Sequence, residues 1–546
     1  MSVLRRIPNV IAGLLAGFVA TMVMALLMAT SRFWLGIMPP PEAIPDRVAP
    51  LLDIETFFSL FGKYGGYNGL KQFGILSGLR GLFGVGIVVG LIYALVVESR
   101  FSRRSPRWLL GTSRPALIFV GAAVLAIWLG LVVFLWPVLV ANYRGLPPTF
   151  ARIVTIVAML LWYGAYAATL IVGYRFMTRR ATPEAVEAEA GETAPAERPL
   201  ARPLTRRGLL AGLAGGALIY PTYRLIDEMY RDATFTYDGT PYSGDDIEPI
   251  APVDRFYVVT KNVVDPDPIR DIWRLEVGGH VEESTRYGFD DLMEFEQIDQ
   301  ETTLMCISNR IGSGLFSNAN WRGVRMRDLL ERAGVREGAV EVFLTGADAY
   351  KDSFPLEKAM EPSTLLVYEI NGEPLPRRHG FPVRVIVPGL FGEKNIKWVT
   401  RIEVVDHDAQ GFYEQQGWGP NFVVPTRSDI FAPRAVSGRG GFVFRDGLQS
   451  GQEVEIRGRA FAGSRGVRSV EVTTDDGATW QPAELYYPGT ELTWTLWRHR
   501  WTPAQAGEFV VTSRATDGTG ALQSDETRGI VPQGAQGFHR VTATVG

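Results

Sequence analysis

Four apolar runs dominate the first third of the sequence: Val10 to Thr30, Leu82 to Val97 with its flanks, Ala116 to Ala141 and Ile153 to Gly173. None of them contains Asp, Glu, Lys, Arg or His. The hydrocarbon core of a bilayer takes roughly 20 apolar residues of helix to cross, and only closed hydrogen-bonded structures survive there. The runs therefore predict an α-helical membrane bundle in place of a soluble core. A fifth run, Leu209 to Leu225, is shorter and rich in Gly and Ala. Gly86 and Gly90, four apart, predict a close helix contact.

Lys and Arg gather on the cytoplasmic side of membrane helices. Arg5 and Arg6 precede the first run, Arg100, Arg103, Arg104, Arg107 and Arg114 separate the second and third, and Arg175, Arg179 and Arg180 follow the fourth. The intervening loops, Pro39 to Gly74 and Asn142 to Arg152, carry fewer cations or balance them with Glu42, Asp46 and Asp53. The expected arrangement is a multi-pass protein of the plasma or inner membrane with a cytoplasmic N-terminus. Residues 1–180 read as a four-helix transmembrane domain and 181–204, rich in Ala, Glu and Pro, as a disordered cytoplasmic linker. Residues 205–230 read as a fifth span, and Arg206-Arg207 ahead of it resembles a twin-arginine export signal as much as it obeys the positive-inside rule. Everything after about Tyr230 is then extracytoplasmic.

Several function classes fall away. The 55 basic and 58 acidic residues leave a net charge of -3, with no footprint for nucleic acid. Charge-free spans argue against ion or proton transport. All five histidines lie at or beyond His280, so no haem is expected in the bundle.

Beyond Pro249 the pattern becomes α+β. Trp273 to Val277, Val340 to Gly346 and Pro382 to Val387 read as strands. Met326, Leu329, Leu330 and Ala333 share a helix face that stops at Gly334. Lys394, Lys397, Arg384 and His379 form a donor set suited to a multiply charged anion. From about Val436, short alternating strands (Glu453 to Phe461, Val467 to Thr474, Leu492 to Trp501, Glu508 to Ala515) and an Asp476-Gly477 hairpin turn predict a disulfide-free, all-β immunoglobulin-like sandwich. The single cysteine, Cys306, ends an apolar strand; on its own it is a packed core thiol, a nucleophile or a metal ligand.

Four segments decide between these. TLMCISNR around Cys306, NANWRGVRMRDLLERAGV (318–335), DAYKDSFPL (348–356) and LLVYEINGEPLPRRHGFPVRVIVPGLFGEKNIKW (365–398) resemble, in order, the sulfite oxidase family of molybdenum-cofactor enzymes. The resemblance implies a molybdopterin-binding catalytic domain at 231–430 and an immunoglobulin-like dimerisation domain at 431–546. It implies Cys306 as the thiolate on molybdenum, with Asp348, His379, Arg384, Asn395, Ile396 and Lys397 holding the pterin and its phosphate. Tyr350 falls at the family's active-site tyrosine, and Arg310 at the substrate-binding arginine after the cysteine.

Two departures stand out. Ile311 replaces the second arginine of the pair, which weakens the case for a small dianion such as sulfite. The early pterin loop reads FYVVTKN, leaving Lys261 and Asn262 as stand-ins. The implied activity is two-electron oxygen-atom transfer on a small oxyanion or oxide, with molybdenum–molybdopterin as cofactor and no haem predicted. A separate cytochrome or quinone would be the redox partner, membrane lipid surrounds the helices, and a homodimer is possible. The alternatives are an S-oxide or N-oxide reductase of the same family, or a tethered interaction module without a metal.

Overall fold

The computed structural model describes residues 7–97, 99, 102, 104–106, 112–178, 206–438 and 441–546. The expected linker at 181–204 and Arg5, Arg6, Arg100, Arg103, Arg107, Arg179 and Arg180 lie outside them. The chain divides into two compact units: Met1–Ala49 with Gly69–Tyr143 and Thr149–Ala233, and Pro50–Asn68 with Arg144–Pro148 and Thr234–Gly546.

Among the described residues of the first unit, five helices are long and apolar enough to cross a membrane: Pro8–Leu35, Tyr67–Val97, Arg114–Leu135, Pro148–Thr178 and Arg206–Arg231. The second starts far ahead of Leu82 and so includes Lys71 and Arg80, because nothing between Tyr67 and Leu82 breaks a helix. The third stops short of Ala141. Pro137 lacks the N–H that another turn would need, although Trp136 before it still holds helical backbone. The fifth carries Arg224 and so is not free of charge. The Gly86 and Gly90 expectation is met. A Cβ on Gly90 would lie 2.5 Å from the Gly13 carbonyl oxygen, so the two helices touch backbone to backbone.

The described residues of the second unit form four sheets. One runs in the order Thr285–Tyr287, Leu275–Gly279, Val399–Val405, Glu341–Gly346, Lys351–Pro355. Another joins Ile298–Met305, Phe316–Arg325, Leu365–Ile370 and Glu373–Pro374, with Arg384–Ile386 also paired to Leu365–Ile370. The helix Met326–Ala333 buries Met326, Leu329, Leu330 and Ala333, as its spacing predicts, and Gly334 closes it in a left-handed conformation.

The two remaining sheets share a core of Ile456, Trp497, Val511 and Val541. One sheet carries Arg427–Ala432, Val454–Phe461, Thr495–Trp501 and Glu484–Tyr487. The other carries Ala435–Gly438, Gly441–Phe444, His539–Val545, Gly507–Asp517, Val467–Thr473 and Gln481–Pro482. Burial alternates residue by residue along His539–Val545, the signature of a strand with one face in the core. Asp476 and Gly477 both take positive φ, as the expected two-residue turn requires.

One segment departs from the sequence division. Pro50–Asn68, inside the expected membrane domain, packs with the second unit. It folds as the helix Ile54–Tyr64, capped by Asp53, whose carboxylate accepts from the Thr56 backbone N–H at 2.9 Å, and ended by left-handed Gly65.

Candidate active site

Cys306 follows directly on the strand Ile298–Met305, where the chain leaves the sheet for a short loop. The next strand, Phe316–Arg325, pairs back on it, so Cys306 and Phe316 bracket a tight excursion. Two buried arginines from the C-terminal strands hold that excursion from behind. Arg427 donates to the Asn309 and Arg310 carbonyls at 3.3 and 3.0 Å while paired with Asp429, and Arg459 donates to the Ser313 carbonyl at 2.8 Å. Arginine suits this work, since its planar fork satisfies several carbonyls at once.

The thiol opens on a cavity of about 450 Å³. Lys261, Cys306, Asp348, Tyr350, His379, Arg384, Asn395, Ile396 and Lys397 all line it. Asn262 and Arg310 do not. Asn262 stands behind the wall and donates to Asp348 at 2.9 Å. Arg310 is exposed, its backbone carbonyl held by Arg427 and its side chain outside the cavity. Gly392 passes so close that a Cβ there would meet the Tyr257 hydroxyl at 2.6 Å and the Cys306 Cα at 3.5 Å. The loops that bring Asp348, Tyr350 and Lys397 together contain Ala349 and Trp398 at φ 60 and 52. Strained backbone of this kind persists where the surrounding fold imposes it.

The electrostatics are uneven. Burial pushes the Cys306 thiol up to about 11, with the Ser308 hydroxyl 3.1 Å away partly opposing. Without a metal the sulfur therefore keeps its proton at neutral pH. Burial, then the charge of Arg384, lowers His379 to about 3. Its Nε2 is 3.0 Å from the Val253 carbonyl, which can only accept, so Nε2 carries the proton and Nδ1 is an acceptor. Arg384 is lowered to about 10 by burial; it donates to the His379 and Asn395 carbonyls, and its Nε has no partner among the described residues. Lys397 is likewise lowered by burial. Among the described residues, Arg378, Arg384 and Lys397 form no ion pair with a carboxylate. Arg384 is buried and the other two half-buried, and cations left in that condition call for an anionic ligand.

Tyr350 donates to Asp352 at 2.8 Å, and Asp352 in turn accepts from Lys394 at 2.6 Å. Burial, then the Asp352 charge, holds the Tyr350 phenol well above its usual range, so it remains a donor.

Sequence reasoning passed over the rest of the lining. Glu393 has both carboxyl oxygens buried with no partner among the described residues, and burial, then Asp352, raises it to about 8. Phe57, Phe58, Phe61, Tyr67, Tyr413 and Trp418 form an aromatic side of the same cavity. The spacing of Phe57, Phe58 and Phe61 was a visible helical signal, but its destination was not.

The donor set fits a metal that brings its other ligands with an organic cofactor. No cluster of three His, Cys, Asp or Glu that could hold an ion exists among the described residues. One soft sulfur lines the cavity, beside cations that form no ion pair among the described residues and suit a phosphate.

Comparison with known proteins agrees. Residues 262–413 match the family described as oxidoreductase molybdopterin binding domain, and residues 443–545 match the Mo-co oxidoreductase dimerisation domain. The chain is 31% identical over 351 residues to the mitochondrial sulfite oxidase of Rattus norvegicus, covering 53% of this chain and 63% of that protein. It is 31% identical over 303 residues to the NAD(P)H nitrate reductase of Hordeum vulgare, covering 45% of this chain and 34% of that protein. Among solved structures, the sulfane dehydrogenase SoxCD from Paracoccus pantotrophus aligns over 67% of this chain and 100% of its own, at 21% identity and a TM-score of 0.48. The chain spans 63% of the rat sulfite oxidase and 62% of the human one, less than their full length. The chain thus carries, in this order, a molybdopterin-binding oxidoreductase domain and a Mo-co oxidoreductase dimerisation domain, and over that region it is similar to the sulfite oxidases.

Proposed function

We propose that this chain is a membrane-anchored, molybdopterin-dependent oxidoreductase catalysing two-electron oxygen-atom transfer on a small substrate. The observation that carries the reading is the gathering of Cys306 and the cationic loops in one cavity. Cys306 Sγ would bind the metal, while Arg378, Arg384 and Lys397 would take the pterin phosphate and Asp348, His379 and Asn395 its polar ring edges. When bound, the group supplies reversible two-electron chemistry at an oxygen-accepting metal. Binding the thiol drives off the proton that burial otherwise holds on it. Tyr350 presents a phenol kept protonated, and Glu393 holds a proton on its carboxyl at neutral pH.

The position of Arg310 favours one direction over the other. Oxidation of a sulfur oxyanion needs a cation near the metal for the substrate, and the only arginine of the cysteine loop lies outside the cavity. Reduction of an S-oxide or N-oxide needs none. It consumes two electrons and two protons, releases water and leaves the reduced sulfide or amine. The electrons would come from a separate cytochrome or quinone.

Anchoring rests on the five long apolar helices and on the outward-facing Ile118, Val133, Leu161 and Leu213. The N-terminus is placed in the cytoplasm and the catalytic domain outside the plasma or inner membrane. The C-terminal pair of sheets is assigned as an immunoglobulin-like module that pairs two copies of the chain.

Molybdenum and pterin analysis of the purified protein tests the assignment. Near one metal per chain supports it. A folded, exported chain free of molybdenum sinks it and leaves the tethered interaction module.

A further inference from the structure

The cavity's second side has no place in the account above. The helix Ile54–Tyr64 has 11 residues, too short to be stable alone, and its polar residues Glu55, Thr56, Ser59 and Lys63 face away from the cavity. Its other face carries Phe57, Phe58 and Phe61, all of which line the cavity. The rings form a continuous set with their neighbours. Phe58 lies 5.9 Å from Trp418 and 5.2 Å from Phe61, Phe61 lies 5.2 Å from Tyr67, and Trp418 lies 5.8 Å from Tyr413. An ordinary core would bury such a set completely, yet Phe57 and Trp418 are buried while Phe58, Phe61, Tyr67 and Tyr413 are only half-buried.

Two residues of the same lining carry buried polar atoms without partners among the described residues: Asn68 at Oδ1 and Glu393 at both carboxyl oxygens. A buried polar atom with no partner costs roughly 1–3 kcal/mol, which a ligand can recover. The cations of the lining, Lys261, Arg378, Arg384 and Lys397, all belong to the cofactor loops. A small anion arriving at the aromatic side would meet rings and an acid.

We propose that Phe57, Phe58, Phe61 and Tyr67, with Tyr413 and Trp418, form a subsite for the flat apolar body of an uncharged substrate, anchored by Asn68 and Glu393. This deepens the oxidoreductase reading and rests on it for the identity of the reaction. The segment that connects two apolar helices thereby becomes the specificity element of the site. The ligand class is an organic oxide, or its reduced counterpart, carrying a ring next to the reacting heteroatom.

The test is calorimetric binding to the full chain with its cofactor, purified in detergent and corrected with empty micelles. The probes are methyl phenyl sulfoxide, dimethyl sulfoxide and sulfite. Wild type is expected to bind the phenyl probe about tenfold more tightly than the dimethyl probe, the scale of one or two ring contacts. Phe58→Ala/Phe61→Ala should remove that preference and leave the dimethyl affinity unchanged. Phe58→Leu/Phe61→Leu keeps the apolar volume and guards against misfolding; it should lose part of the preference. Equal affinity for the two sulfoxides in wild type, tighter binding of sulfite, or a preference that survives both variants would each overturn the proposal. Molybdenum is measured on every preparation. A metal-free wild type that still prefers the ring overturns the oxidoreductase reading and supports the subsite.

Discussion

On one side of the cavity, Arg384 opens the buried strand Arg384–Ile386, and Arg378 and Lys397 sit in the connections around it; on the other, Phe57, Phe58 and Phe61 sit on one face of a short helix. The cationic side is fixed by directional bonds. Arg384 is held by the His379 and Asn395 carbonyls, and Lys397 donates to the Arg378 carbonyl at 3.2 Å. The aromatic side is held by apolar area, which sets no such angles. A wall of the first kind selects one ligand geometry; a wall of the second kind selects a chemistry and tolerates variation in shape. That division suits an enzyme whose cofactor is constant and whose substrate differs among relatives. It also makes the two walls separable by mutation.

The largest effect is expected at the metal. Cys306→Ser replaces the thiolate with a poor ligand but leaves the cationic wall intact, so pterin should be retained while turnover falls by more than about a hundredfold, beyond what changes around a ligand usually cost. Pterin content and turnover, measured on one preparation, check both halves. Turnover near wild type would remove Cys306 from the metal. Next comes Arg384→Met, which deletes a buried cation and leaves two carbonyls without their donor, at roughly 1–3 kcal/mol each. Cofactor per chain should fall severalfold, with the phenyl preference intact in the fraction that remains loaded. Loss of both properties together would show that the walls are coupled.

The sequence made the first wall readable and hid the second, for a physical reason. Cys306 at a strand end, and His379, Arg384, Asn395 and Lys397 in one loop cluster, carry their chemistry in residue type, and a long ordered motif brings them into register. The helix Met326–Ala333 was readable from its own periodicity. The helix Ile54–Tyr64 left equally clear local marks, with Asp53 as cap, Phe57, Phe58 and Phe61 on one side and a Gly65-Gly66 stop. Nothing local says which body those rings will cover. Their placement beside Cys306 comes from contacts with residues more than two hundred positions away. Arg310 shows the opposite case: the motif sets it just after Cys306, yet its side chain is exposed and outside the cavity lining, because side-chain direction in a loop is set by packing that no motif encodes.

Glu393 lies between the two walls and supplies the third test. Its folded pKa, about 8, stands above its ordinary value of 4.5, so the folded chain holds a proton that the unfolded chain gives up between those values. The contribution is fully present below pH 4.5 and is lost as pH rises through about 8, where the carboxyl must ionise while buried. The span is worth a few kcal/mol. Wild type should lose thermal midpoint between pH 6 and pH 9, and Glu393→Gln, neutral throughout, should lose distinctly less. Parallel curves would mean that the carboxyl reaches water or a cation on the way.

The smallest effect is expected at Asp53, and it separates the walls most cleanly. The residue is exposed and touches no ligand; its carboxylate accepts from the Thr56 backbone N–H and, at 2.7 Å, from the Thr56 hydroxyl. Those bonds hold its pKa below the usual carboxylate value, so the cap is complete above about pH 4 and lost as pH falls. Asp53→Ala frees the first turn of a helix too short to stand alone and loosens Phe57 and Phe58 without changing a single group in the cavity. Affinity for the phenyl probe should weaken by about two- to threefold, the scale of a lost exposed cap, while molybdenum content and dimethyl sulfoxide affinity stay at wild-type values. Asp53→Asn, which can still accept from Thr56, should restore most of the loss. If the alanine variant lowers molybdenum content as well, the helix supports the cofactor loops, and the contrast between a directional wall and an apolar one no longer holds.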